Sequence, residues 1–527
     1  MPSTFFGLTI GQSGLNASQI GINTTGHNIS NENTKGYSRQ VTDMQASTPI
    51  RSYSSSGMMG SGTDVTGISQ IRELYYDRKY WGNETNYGRY EALSGYMQQL
   101  ENYFNETNLE GFTKEYDNVF TSLESLKNNS SSTSYRAAFL QSCVSFTEYL
   151  NTLYNNVSNI QSDLNHQVAV TVDEINSIAA SIATINKQIN TVEMNGSSAN
   201  DLRDKRALLI DQLSAIVPVE VTEKSLGNGV TTYDVKICNQ DLVNTYSYYS
   251  LKTEPRADRA NASDIEGLYE IKWANGNDFN MYSSSVNGSL KALIDMRDGC
   301  NGGFEKETNL LDGNGNVVTD ANGNPVKTLQ IDYGTGKLVT TYKGIPYYLN
   351  QLNQFAEEFA KMFNDIVTDG ESQDLDGNAV TKNLFINKYD QANTITALGI
   401  KVNDEFLNNL RLLPTGTKMV NGKENTDVVD KMLQIKKSDF LNSDSPAGYL
   451  ESIVAQIATD TKIARTFESN YSSIETIIDK QRMSISGVDR DEEAMNLVKY
   501  QNAYELSSKM IQVLTEIYDR LILETGV

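Results

Sequence analysis

The chain has 527 residues, a formal net charge of −22 and 21% charged residues, which fits two to four folded domains and excludes wholesale disorder. The acidity comes with no clustered Lys/Arg run, so nucleic acid is not an expected partner. No run of eighteen apolar residues exists to span a membrane, and MPSTFFGLTIGQSG lacks the basic and unbroken apolar regions of a cleaved secretory signal.

Residues 5–30 read as one helix about 40 Å long. Leu8, Leu15, Ile22 and Ile29 recur on it at a spacing of seven, the repeat that keeps one apolar stripe facing a partner helix. Glycines at 11, 14, 21 and 26 each lower helix stability by about 1 kcal/mol relative to Ala, so this helix is expected to be loose until something orders it. Residues 31–70, rich in Ser, Thr and Gly, read as an extended, partly β linker. Helical patterning runs from Arg72 to about Ile216. Its strongest part is a rod in which Phe146, Leu150, Leu153, Val157, Ile160 and Leu164 step by four and three. After a stutter, Val168, Val172, Ile175, Ile178, Ile182, Ile185, Ile189 and Val192 resume. Asn195-Gly196 breaks the rod, and a helix over 201–215 follows until Pro218 stops it.

From about Val217 to Leu338 the texture is strand-like, with VPVEVTEK and TTYDVKIC alternating and Gly/Asn-rich turns between. Helical patterning resumes at Ile345, a loop-rich stretch covers about 368–430, and two helices close the chain. On the last, about 491–523, Ala503, Leu506, Met510, Val513 and Ile517 make the 3-4-3-4 step of a coiled coil. The predicted class is α+β: an elongated multidomain chain with helical coiled-coil termini and a helical-bundle domain carrying an inserted mainly-β domain. The expected divisions are 1–70, 71–216, 217–340, 341–489 and 490–527, with the two end segments paired. Neither end can bury its stripe alone, so the ends are expected to pair with each other and then with copies of themselves.

Chemistry is sparse. Cys143, Cys238 and Cys300 form no CxxC, and with only His27 and His166 as histidines a His/Cys metal site has too few ligands. No cofactor is expected. Asp312-Gly313-Asn314-Gly315-Asn316 and Asp374-Leu375-Asp376-Gly377-Asn378 hint at calcium loops, but Val317 and Ala379 stand where such a loop needs Gly. Both read as turns, as does Gly334-Thr335-Gly336-Lys337, which lacks phosphate-loop spacing. Asp491, Glu492 and Glu493 open the last helix, where they complement its dipole. Asn200 or Asp201 reads as the cap of its helix.

Four segments carry a family resemblance. Residues 26–40, GHNISNENTKGYSRQ, resemble the Asn-rich N-terminal signature of bacterial flagellar rod, hook and hook-associated proteins. Residues 486–504, SGVDRDEEAMNLVKYQNAY, are similar to the ending of the flagellar hook-associated protein 1 family, and Ala199-Asn200-Asp201-Leu202 with Asp204 and Arg206 resembles an interior segment of that family. Ile345 to Leu352, with Asn364, resembles its later helix. Arg490, Met495, Ala207 and Leu506-Ser507 depart from the family's usual residues. The resemblance implies a non-enzymatic structural adaptor that forms a ring with copies of itself at the hook–filament junction. It implies contact with the hook protein and a second junction protein, an export chaperone on the C-terminal helix, and an extracellular place on the flagellum reached without a cleaved signal. Other readings are a different axial protein (hook, rod or second junction protein) or a secreted enzyme or adhesin with axial-type ends. The NDLxD and SGVxxxEEAxNL segments argue against the former. The lack of a recognisable site in 217–338 argues against the latter. The expected assembly residues are Leu8, Leu15, Ile22, Ile29, Asn28, Asn31, Asn33, Gly36 and Tyr37 at one end. At the other they are Leu497, Tyr504, Leu506, Met510, Ile511, Val513, Leu514 and Ile517.

Overall fold

The computed structural model describes residues 5–51, 57–104, 111–257, 259, 263–299, 304–309, 317–319, 323, 325, 327–332, 342–389, 394–417, 419–420, 423–441, 443 and 445–525. Cys300, the 312–316 segment and the 334–337 run lie outside them. Helix α1 (Phe6–Ser30) leads into strands β1 (Gln40–Ala46), β2 (Ile50–Arg51), β3 (Met58–Met59) and β4 (Thr63–Gln70). Helices α2 (Leu74–Phe104), α3 (Phe112–Asn128), α4 (Thr133–Glu193) and α5 (Asn200–Ile216) follow. Then come β5 (Val219–Gly227), β6 (Val230–Ile237), β7 (Gln240–Asn244), β8 (Ser247–Tyr248), β9 (Leu251–Pro255) and β10 (Tyr269–Trp273). After α6 (Gly288–Asp298), β11 (Phe304–Asn309) and β12 (Lys327–Asp332), helix α7 (Ile345–Val367) restores helical structure. Strands β13 (Phe385–Asn387) and β14 (Ile400–Val402) precede α8 (Asp404–Asn408), β15 (Met419–Val420), β16 (Lys423–Glu424) and α9 (Asp427–Gln434). Two helices, α10 (Pro446–Ser486) and α11 (Arg490–Thr525), end the chain.

The chain forms two compact units, and their limits differ from the expected divisions. One comprises 1–88, 173–251 and 470–527; the other comprises 89–172 and 252–469. Three boundaries fall inside helices α2, α4 and α10 and one inside strand β9, none of them in a linker. The 217–340 segment is not one inserted domain: the four-stranded antiparallel sheet β5-β6-β7-β8 belongs to the first unit, and the β10-β9 and β11-β12 hairpins fall mainly in the second.

The reason lies on α4, which is continuous over 61 residues, about 90 Å at 1.5 Å per residue. The apolar rod positions Phe146, Leu150, Val157, Leu164, Val168, Ile175 and Ile182 are all fully buried. Among them sit amides that act as surrogate strand partners. Asn190 accepts from Thr231 N–H and donates to Thr231 O, at 2.9 and 2.8 Å. Asn176 does the same to Leu251, at 2.8 Å each way. Asn186 donates to the carbonyls of Tyr233 and Thr245. In the second unit Asn165 accepts from Tyr269 N–H and Gln161 from Ile265 N–H. Buried backbone groups must find partners, and here strand backbone finds them on a helix. The strands are thereby tied to α4 piecewise, each to its own stretch. Asn186, not Ile185, takes the buried position at that turn.

The second unit is centred on an aromatic core. Phe355, Phe359 and Phe363 of α7 meet Tyr116 and Phe120 of α3, Phe146 of α4, and Phe385, all fully buried. Ring centroids such as Phe146–Phe359 at 5.0 Å and Phe359–Phe363 at 4.9 Å are tilted, as ring quadrupoles favour. Cys143 is buried there, and burial raises its thiol pKa. The Asp374 loop is a turn: Asp374 Oδ1 accepts the N–H groups of Asp376 and Asn378.

Residues 31–70 are not an extended linker. β1 pairs antiparallel with β4 from Gln40↔Gln70 to Ala46↔Thr63, with a bulge at Asp43/Met44. This hairpin lies on α1, where Ser13 Oγ accepts Thr63 N–H and Thr42 donates to the Thr24 hydroxyl. The alternation that suggested a partly β segment is the alternation of a hairpin with one face covered.

Candidate assembly interface

Helices α1 and α11 pack side by side and antiparallel. Phe5 meets Tyr518 with ring centroids 4.9 Å apart at one end, and Asn28 meets Glu493 at the other. The touching rows are only partly the expected ones: Asn28, Leu497, Tyr504, Ile511 and Leu514 lie at or beside the contact, but the two seven-residue repeats do not make it. On α1 the row is small: Gly7, Gly11, Gly14, Ser18, Gly21, Thr25 and Asn28, stepping by four and three. A Cβ on Gly7, Gly11, Gly14 or Gly21 would come within 3.0, 2.8, 2.8 and 2.7 Å of Leu514, Ile511, Ser507 and Tyr500 respectively. The glycines that weaken the isolated helix thus let α11 approach closely, and α1 becomes stable only against that partner.

The facing row on α11 is Tyr500, Tyr504, Ser507, Ile511, Leu514 and Tyr518, all half-buried, with Leu497 beside it. Leu506, Met510, Val513 and Ile517, expected to hold the pair, do not face α1: they are 67, 40, 54 and 53% exposed. Leu8, Leu15, Ile22 and Ile29 lie one residue beyond the glycine row and are half-buried on its flank. Both seven-residue repeats exist, but each is turned about 100° from the contact. Small-against-large packing sets the register, because the bulky rows of two helices cannot come as close as a bulky row and a glycine row.

At the Asn28 end, three distant segments close into a polar clasp. Asn28 is 1% exposed and uses its whole amide. It donates to Gln40 O at 2.8 Å and Glu493 Oε2 at 3.2 Å, and accepts from Tyr37 OH at 2.8 Å and Gln40 N–H at 3.0 Å. Tyr37 OH also meets His27 Nδ1 at 3.0 Å. Burial, with the charges of Asp201, Asp204 and Glu493, pushes the Tyr37 phenol pKa up, so the group stays a donor.

Arg39 bonds Glu493 through Nε at 2.8 Å and Glu492 through both terminal nitrogens at 2.7 and 3.0 Å. Burial works against the charge, and these carboxylates outweigh it, so the Arg39 pKa is raised. Arg39 N–H donates to Ser486 O, and Arg490 pairs with Glu32 at 2.7 Å. Glu492 and Glu493 are therefore partners of the N-terminal signature as well as helix-start acids. Asp489 Oδ1 caps α11 by accepting the N–H groups of Asp491 and Glu492.

The third segment is the start of α5. Asp204 accepts Ser38 N–H at 3.0 Å, and Asp201 accepts from the Gln40 side chain at 2.8 Å. Burial, opposed by the Ser38 bonds, leaves the Asp204 pKa raised. Asn200 is not a cap: its amide donates to Ile68 O, and the N-cap residue is Ala199. Gly36, at φ +81°, turns the chain beside Leu208, where a Cβ would lie 3.3 Å away. Asn31 closes α1 by donating to His27 O, while Asn33 is exposed. Arg39, Asp204, Glu492, Glu493, Tyr500, Ser507 and the α1 glycines were not among the expected site residues. The signal for the glycines was their 4-3-7 spacing, which Ser18 completes to steps of four and three.

The three clasp segments are three of the four that carry the family resemblance. The model of the flagellar hook-associated protein FlgK helical domain matches residues 97–385, more than half the chain. The chain belongs to the FlgK family. Two further models fall on the paired ends: flagella basal body rod protein on residues 8–37, and flagellar basal body rod FlgEFG protein C-terminal on 480–523. These ranges hold α1 with its signature and α11 with its approach. Among full-length relatives, the FlgK-family chain is similar to flagellar hook-associated protein 1 of Bacillus subtilis, 27% identical over 100% of this chain and 99% of that protein. It is also similar to flagellar hook-associated protein 1 of Escherichia coli, at 25% identity, covering 97% and 98%. The fold resembles the flagellar hook junction protein FlgK of Burkholderia pseudomallei, with a TM-score of 0.57 at 14% identity, covering 78% of this chain and all of that one.

Proposed function

We propose that this FlgK-family chain is a structural adaptor at the hook–filament junction, where copies assemble into a ring through α1 and α11, and that it performs no catalysis. The observation that carries this reading is the exposed apolar row on α11. Leu506, Met510, Val513 and Ile517 are open to solvent on a helix whose other apolar row is already taken by α1. Monomeric proteins rarely leave such a stripe uncovered. The clasp supports the same reading, since it fixes the start of α11 and therefore where that row points.

The neighbours that fit are further copies, the hook protein on one side and a second junction protein on the other. Before assembly, an export chaperone covers the C-terminal helix, and the chain leaves through the flagellar export route without a cleaved signal. Immunogold labelling of isolated flagella tests the placement: gold confined to the boundary between hook and filament supports it, and label along the hook or in the rod refutes it. Deletion of residues 490–527 should abolish chaperone capture in a pull-down, and undiminished capture would remove the chaperone from α11.

A further inference from the structure

The two unmatched apolar rows lie on opposite sides of the helix pair. In an antiparallel pair, the residue after each contact on either helix projects to one side of the plane through both axes, and the residue before it to the other. Leu8, Leu15 and Ile22 each follow a contact glycine, at positions 7, 14 and 21, and Ile29 follows Asn28. Leu506, Met510 and Val513 each precede a contact residue, at positions 507, 511 and 514, and Ile517 precedes Tyr518. The hairpin fixes the sides: Ile10 and Ser13, which precede Gly11 and Gly14, are the residues against Gly62, and Ser13 accepts Thr63 N–H. The β1-β4 hairpin and the exposed α11 row therefore share one side, and the α1 row occupies the other.

We infer that neighbouring copies meet through unlike faces, the Leu8–Leu15–Ile22–Ile29 row of one copy against the Leu506–Met510–Val513–Ile517 row of the next. This rests on the self-assembly proposed above and specifies how it happens. Three features name a second copy as occupant. The rows share a seven-residue repeat, so they can interdigitate over their length. Residues 5–31 contain no Asp, Glu, Lys or Arg, so the α1 side offers no charge against Glu505, Lys509 and Glu516, which flank the α11 row. Contact between like faces would leave the second row of every copy uncovered, whereas head-to-tail contact buries both and propagates until the rotation closes a ring.

The test uses assembled flagella from cells producing the full chain, with Cys143, Cys238 and Cys300 replaced by Ser and new cysteines treated with a short bismaleimide. A chain carrying both Leu15→Cys and Val513→Cys should give a ladder of cross-linked oligomers. Chains carrying either one alone should give no dimer. Cells producing the two single variants together should give dimers and no ladder. Ile22→Cys with Met510→Cys repeats the test at a second level, so that a single unfavourable cysteine spacing does not decide it. Dimers from Val513→Cys alone, or no ladder from either double variant although the chain is present in the isolated flagella, overturns the unlike-face contact. Absence of the unmodified chain from isolated flagella overturns instead the assembly reading on which it stands.

Discussion

Asn28→Ala removes one buried amide that serves four partners. Two of them keep an alternative: Glu493 retains Arg39, and Tyr37 retains His27. The N–H and C=O of Gln40 lose theirs. Each buried backbone group left unmet costs about 1–3 kcal/mol, so the clasp should lose on the order of 3 kcal/mol. Because the chain forms two units, one global unfolding free energy would blur this local loss. Hydrogen exchange read by mass spectrometry on peptides covering 28–46 and 490–505 resolves it. At about 1.4 kcal/mol per factor of ten, protection in both peptides should fall roughly a hundredfold together, while peptides from α7 are unchanged. Exchange within about threefold of wild type, equivalent to under ~1 kcal/mol, would refute the claim that Asn28 joins the signature to α11.

Other perturbations follow from the same packing. Gly21→Val introduces a branched side chain whose Cβ would stand 2.7 Å from the Tyr500 ring, and should cost about 1–3 kcal/mol by overpacking. Faster protease cleavage within 490–525 would report it. Gly26→Ala, with open space around it, should instead leave cleavage unchanged or slow it, since Ala favours helix by about 1 kcal/mol. Asp298→Asn strips the carboxylate that pairs the fully buried Arg297 and also Arg256, and should destabilise its unit by about 3–5 kcal/mol. Urea unfolding followed by Trp273 fluorescence in a Trp81→Phe background measures this, since Trp273 belongs to that unit and Trp81 to the other. Asp369 titrates at about 2: burial opposes the charge, but Lys431 and the N–H groups of Ser372 and Glu371 lower the pKa below 3.8. Its folded pKa is depressed, so its stabilisation is intact above about pH 4 and lost as pH falls through 2. Wild type and Asp369→Asn should differ in urea midpoint near neutral pH and converge in strong acid.

Much of this was legible where periodicity is local. The span of α1, the α4 rod with its stop at Asn195-Gly196, and α11 all follow apolar spacing, and three of the four segments that carry the family resemblance close the clasp. What was not legible is which of two adjacent rows meets a partner. The bulky rows of α1 and α11 drew attention, while contact went to the glycine row, because close approach is a property of the pair and not of either helix. Arg39 and Glu493 lie 454 positions apart, so no window of sequence relates them, and the Glu was assigned its local role at a helix start. The 217–340 segment read as a domain because its strands alternate. Asn165, Asn176, Asn186 and Asn190 hold strand backbone on α4, which divides the segment between two units, and polar residues inside an apolar rod were the available sign.

The central claim, a junction adaptor built by its paired ends, is tested most directly by deleting the gene and examining the cells by electron microscopy, with flagellin assayed in the medium. Complete hooks without filaments, and flagellin lost to the medium, is the expected result. Missing or shortened hooks would move the protein into the hook or rod, and normal flagella would contradict the account.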